Sequence, residues 1–192
     1  MRRGSSTVVV LVGQVDEALL AEVDRPANVT VVRAGEPGAE GAIAALAEAS
    51  GRQAPFVLVA GDPLAAVAEG WRMAWEPGSP GTAAFEEAAG EALLAWRAGR
   101  FELPDYYLVV AREPGAEGTD AAPPAPHPDD FHLGVLRTER PSRVVAVPAG
   151  EARVAALRVL RALRRLPVGP WWPPLDRLVE AARSFFPGRL AS

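Results

Sequence analysis

The sequence predicts a three-layer α/β fold: a mainly parallel sheet of about four parallel strands, extended by an antiparallel hairpin and followed by two C-terminal helices. Three observations carry that expectation. Short apolar runs rich in Val occur at Thr7–Val12, Asn28–Val32, Phe56–Ala60 and Tyr106–Ala111, as strands buried on both faces require. Between them lie segments with apolar residues at helical spacing. Strands and helices alternating in this way imply parallel pairing through right-handed crossovers.

Taken in order, Gly13 ends the first strand, and Val15, Ala18, Leu19 and Val23 form a helical stripe after it. Gly38–Ser50 offers Ile43, Leu46 and Ala47 on one face and closes at Gly51. Asp62 and Pro63 read as the N-cap and first position of a helix running through Val67, Trp71 and Trp75. Thr82 is placed to cap the next helix, with Phe85, Ala89, Ala92 and Trp96 on one face and Gly99 as its stop. Glu113–Pro128 holds five Pro and no periodicity, which predicts a mobile loop. Phe131–Arg137 and Arg143–Val147 read as the hairpin strands, joined by Thr138–Ser142. Helices at about Glu151–Leu166 and Leu175–Phe186 finish the chain. The expectation is one α/β domain over residues 1–192, with a β–α repeat portion at 1–112, a Pro-rich loop at 113–130, and the hairpin plus basic helices at 131–192. Glu36–Gly41 and Glu113–Gly118 share the sequence EPGAEG, which reads as repeated turn chemistry in a biased composition.

Charge is divided along the chain. Residues 1–136 carry 9 Arg against 20 acidic residues, a balance of −11, whereas residues 137–192 carry 11 Arg against 4, a balance of +7. There is no Cys, which excludes disulfides, thiolate nucleophiles and Cys–metal sites. There is no Lys either, which excludes Schiff-base chemistry and the lysine of a phosphate-binding P-loop. No apolar run approaches the ~20 residues of a membrane span, and the N-terminus lacks an apolar signal segment. A cytoplasmic location is expected.

Several groups are candidates for chemistry. His127, Asp129, Asp130 and His132 place two imidazoles and two carboxylates within six residues, ligand types suited to Zn, Mn or Fe. Their spacing matches no metal motif, and the plainer reading is a loop ending followed by a strand that carries His132 on its outer face. No Ser lies in a G-x-S-x-G elbow, and the turn after the first strand lacks the G-x-G-x-x-G spacing. No cofactor is therefore expected. An open parallel sheet still offers a crevice at its carboxyl ends, where Gln14, Glu36 and Asp62 are the candidate ligand contacts. In the penultimate helix, Arg153, Arg158, Arg161, Arg164 and Arg165 fall within a ~140° arc at ~100° per residue. Val154 and Leu157 interrupt that face and imply some burial there. The arginines suit the phosphate backbone of nucleic acid, an anionic membrane surface or an acidic protein face, or else make the outer face of a sheet-covering helix soluble and pair with the acidic first part of the chain. Trp171 and Trp172, flanked by prolines, point to opposite sides of an extended segment, so one packs inward and the other is available to a partner.

No motif covers enough of the chain to define a family. The function read from the sequence is a non-enzymatic binding, interaction or small-molecule-sensing protein, with a protein partner or a homodimer contacted through Arg158, Arg161, Arg165, Trp171 and Trp172. Nucleic acid is disfavoured by the net charge of −4. The alternative is a metal-dependent hydrolase or phosphoesterase using His127, Asp129, Asp130 and His132.

Overall fold

The computed structural model describes residues 6–76, 79, 81–111 and 127–186. The chain order is β1 (Thr7–Gly13), α1 (Glu17–Val23), β2 (Val29–Arg33), α2 (Ala39–Ser50), β3 (Phe56–Ala60), α3 (Ala65–Met73), α4 (Gly81–Arg97), β4 (Tyr106–Ala111), α5 (Pro128–Asp130), a π-helical stretch (Phe131–Leu136), α6 (Arg137–Glu139), β5 (Val144–Pro148), α7 (Ala152–Leu163) and α8 (Leu175–Ser184). The strands form one five-stranded sheet in the order β2-β3-β1-β4-β5, and every neighbouring pair is parallel.

The expected antiparallel hairpin is absent. Phe131, His132, Val135 and Leu136 are the buried residues of their stretch. That i, i+1, i+4, i+5 spacing is helical, and the apparent alternation of Phe131, Leu133 and Val135 misleads because it is too short to separate the two periods. The helical segment 128–139 supplies the crossover that parallel pairing of β4 and β5 needs, so β5 becomes a fifth parallel strand. Residues 128–130, expected to close the Pro-rich loop, are helical instead, and residues 112–126 lie outside the described ones.

Side chains alternate between the faces of the central strands. Val9, Leu11, Leu58, Leu108, Val110 and Val147 face α1 and α7. Val10, Val57, Val59, Tyr107 and Val109 face α2, α3, α4, the π-helical stretch and α8. The connection that moves from β1 outward to β2 lies on the first face, and the three that move the other way lie on the second, as a constant crossover hand demands.

Helix ends follow local chemistry. Asp16 caps α1 by accepting the Leu19 amide at 2.8 Å. Gly99 (φ +68°) ends α4 with a paired 6→1 and 5→2 set, Arg100 N–H to Ala95 and Gly99 N–H to Trp96. The start of α3 differs from expectation: Asp62 accepts the Leu64 amide at 2.9 Å, and the helix begins at Ala65. Residues 164–174 then pass from α7 on one face to α8 on the other along the amino edge of the sheet. Tyr106 donates to the Pro167 carbonyl, and Arg143 donates to the Gly169 and Pro170 carbonyls. Among the described residues no helix is long and apolar enough to cross a membrane.

Candidate functional site

At the carboxyl edge of the sheet, β1 lies between β3 and β4, and its continuation leaves on the opposite face from theirs. A crevice belongs at such a switch point. Gly13 ends β1 there with φ +90°, and a Cβ on it would stand 2.4 Å from the Val110 carbonyl oxygen and 3.2 Å from Asp129 Oδ1. Glycine thus lets the start of the 128–139 helical segment press against the strand end. Gln14 is exposed beside it, its amide bonded to the Val110 carbonyl at 2.8 Å. Glu36 is exposed in the turn before α2.

Asp62 and His132, seventy residues apart, meet behind this edge. Asp62 Oδ2 lies 2.9 Å from His132 Nε2, while Oδ1 accepts the Tyr107 hydroxyl at 3.1 Å and the Leu64 amide at 2.9 Å. Three donors on one carboxylate place the imidazole proton on Nε2. The side chains of His132 and Asp62 are only 4% and 6% exposed. Burial, the Asp62 charge and its hydrogen bond push the Tyr107 phenol well above its ordinary pKa. Nδ1 of His132 is buried and has no partner among the described residues.

The remaining members of the His/Asp cluster build a helix start. His127 stands at the N-cap, its Nδ1 3.3 Å from the Asp129 amide, and Pro128 takes the first helical position. Asp130, two residues further, reaches back to accept the His127 amide at 2.7 Å, the reciprocal half of a capping box. Asp129 lies with Oδ2 3.2 Å from His127 Nδ1, and burial raises its pKa above the usual carboxylate range. Among the described residues no three His, Asp or Glu side chains converge to hold a metal ion. The sequence reads as a loop ending before a strand, and the signal that points to a cap instead is Pro128 at the first helical position with Asp130 at the third. Tyr107 gave no signal, because it sits in a run that reads only as a buried strand.

The arginine face of α7 lies on the opposite side of the molecule from α8. Ala155, Ala156, Val159 and Leu163 face the sheet. Arg158 is half-buried and donates to the carbonyls of Pro148 (3.1 Å) and Ala149 (2.5 Å), closing the end of β5. Arg153, Arg161, Arg164 and Arg165 are exposed. Against expectation, Val154 and Leu157 are exposed as well, at 41% and 59%. The neighbouring acids of α1 are engaged elsewhere, Glu17 with Arg33 and Glu22 with Arg25. Among the described residues no ion pair joins these four arginines to the acidic first part of the chain.

The tryptophans divide as their adjacency requires. Trp172 is buried and donates Nε1–H to the Pro104 carbonyl at 2.7 Å. Trp171 is exposed, with the Arg143 guanidinium 4.6 Å from its ring centre. Two concavities are lined by none of the candidate residues, although Pro104, the partner of Trp172, borders the smaller. One, of about 260 Å³, opens at the amino edge between Leu46, Ser50, Phe101 and Leu103. The other, of about 610 Å³, is a groove between α2 and the α3–α4 pair, floored by Ile43, Val67, Ala92 and Ala95. Compared with known proteins, the chain matches no family model, no curated protein and no solved structure.

Proposed function

We propose that the chain is a non-enzymatic interaction protein that presents the outer face of α7 to an apolar, acidic partner surface. The observation that carries this reading is the exposure of Val154 and Leu157 among four arginines that, among the described residues, no ion pair ties to the acidic first part of the chain. An apolar centre with a guanidinium rim is the composition that interfaces favour. The reading is supported further by the use of Asp62 and His132 as a buried tie between elements, and of His127 and Asp130 as a helix cap.

The test is a photo-cross-linking amino acid placed at position 157 in cells, with the same group at Arg52 as a control off the face. Adducts from position 157 that disappear with Arg161→Glu are expected. Equal labelling from both positions would overturn the reading.

A second reading, metal-dependent hydrolysis through His127, Asp129, Asp130 and His132, is favoured by the contact of His127 with Asp129 and by the unpartnered Nδ1 of His132. Elemental analysis of chelator-free protein beside His132→Ala tests it. Near-stoichiometric metal lost in the variant supports it, and metal-free protein removes it.

A further inference from the structure

We propose that the partner of the α7 face is a second copy of this chain, whose α2/α4 groove receives it, so that copies associate head to tail. This rests on the interaction reading above and names its partner. The two surfaces are complementary. On α7, Val154 and Leu157 project at i and i+3, with Arg161 one turn further along the same stripe. The groove offers an apolar floor of Ile43, Val67, Ala92 and Ala95, and a wall in Leu94, which is 70% exposed. Its volume of about 610 Å³ lies within the few hundred to a thousand Å³ typical of sites that enclose a ligand.

The charges are also opposed. Glu91 lines the groove, and Glu87 stands one turn before it on α4, both exposed. Glu40 and Arg100, also on the rim, pair with each other, so the net sign there is negative. This matches the −11 balance of residues 1–136 against the +7 of residues 137–192.

The topology determines the kind of assembly. The face bearing α7 and the face bearing the groove lie on opposite sides of one sheet, so a chain cannot fill its own groove with its own α7. Each copy carries one knob and one socket, which makes the contact heterologous and extends it into rings or filaments. An isologous dimer would bury the same patch twice and bring the α7 arginines together.

The experiment uses the full chain and two variants. Leu157→Glu with Arg161→Glu destroys the knob, and Leu94→Arg with Glu91→Arg destroys the socket; all four positions are exposed, so both variants should keep the parent's circular dichroism and melting temperature. By analytical ultracentrifugation the parent should grow in mass with concentration beyond a dimer, and salt should weaken it. Each variant alone should weaken self-association about thirtyfold or more, as the loss of a central apolar anchor does. Mixed one to one, the variants should form a complex of two chains, because each retains the half that the other has lost. A monomeric parent, or a mixture that stays monomeric, overturns the proposal. Should either double variant fail to fold, Arg161→Glu and Glu91→Arg replace the pair, and the same mixing rule applies. Cross-links from position 157 to another protein, with a monomeric parent, would defeat self-association and leave the interaction reading standing; labelling no different from the control position would defeat both.

Discussion

Asp62 shows how one side chain can hold three elements together. Its carboxylate binds the turn before α3 through the Leu64 amide, β4 through Tyr107 and the π-helical stretch through His132. A hydrogen bond to a carboxylate contributes more than one between neutral groups, and without the phenol Oδ1 keeps only the Leu64 amide. Tyr107→Phe should therefore lower stability by about 1–3 kcal/mol, read by denaturant unfolding at neutral pH. The same variant has a pH signature. The folded chain holds the phenol proton well above its ordinary pKa of 10.0, so in the alkaline range the folded state binds more protons than the unfolded one. Stability of the parent then falls as pH rises past that value, whereas the Y107F chain lacks this share of the decline. Equal alkaline slopes for the two proteins would contradict the assignment. Asp62 and His132 were each legible in the sequence as polar candidates. Their pairing was not, because a seventy-residue separation is bridged only by the tertiary fold, and no local period records it.

Elements were legible where one period dominated. The four Val-rich runs became strands, and Ile43 and Leu46 on α2 and Phe85, Ala89 and Ala92 on α4 became buried helix faces, whereas Ala47 is exposed. The one reversal, Phe131–Leu136, lies where six residues fit both periods, and a preceding cap decided for helix. Packing between elements was less legible, because it depends on close approaches that leave little trace in hydropathy. The junction of α3 and α4 is such a case. A Cβ on Gly70 would lie 2.7 Å from the backbone Cα and N of Phe85, and backbone cannot swing away as a flexible side chain can. Phe85 in turn meets Phe186 edge to face at 5.0 Å between ring centres, so the same contact seats α8. Helix propensity alone would favour alanine at position 70 by somewhat under ~1 kcal/mol. Overpacking of ~1–3 kcal/mol opposes it and should prevail. Gly70→Ala is thus expected to lower the melting temperature, and a rise would show that the two helices can separate without loss.

At the scale of the whole molecule, the division of charge allows two accounts with different energetics. If the α7 arginines neutralised the acidic first part of the chain, removing them would destabilise the fold, most of all at low salt. The ion pairs argue otherwise, since the α1 acids beside α7 are paired with Arg33 and Arg25. What remains is local to the helix. Arg158, Arg161, Arg164 and Arg165 repel one another at i, i+3 and i+4, at ~0.2–0.5 kcal/mol per pair. The last three also sit at the carboxyl end of α7, where the helix dipole favours cations by ~0.3–1 kcal/mol. These terms are similar in size and opposite in sign, and salt screens both. Replacing Arg153, Arg161, Arg164 and Arg165 together by Gln should therefore change unfolding free energy by no more than about 0.5 kcal/mol per site, with little dependence on salt. Arg158 is spared because it closes the end of β5. The measurement is denaturant unfolding at low and high ionic strength, at a protein concentration too dilute for association, which would otherwise stabilise the parent by mass action. Unchanged stability with lost cross-linking from position 157 would separate the α7 face from the fold it rests on. A large loss at low salt, recovered by added salt, would return these arginines to the role of internal counter-charge.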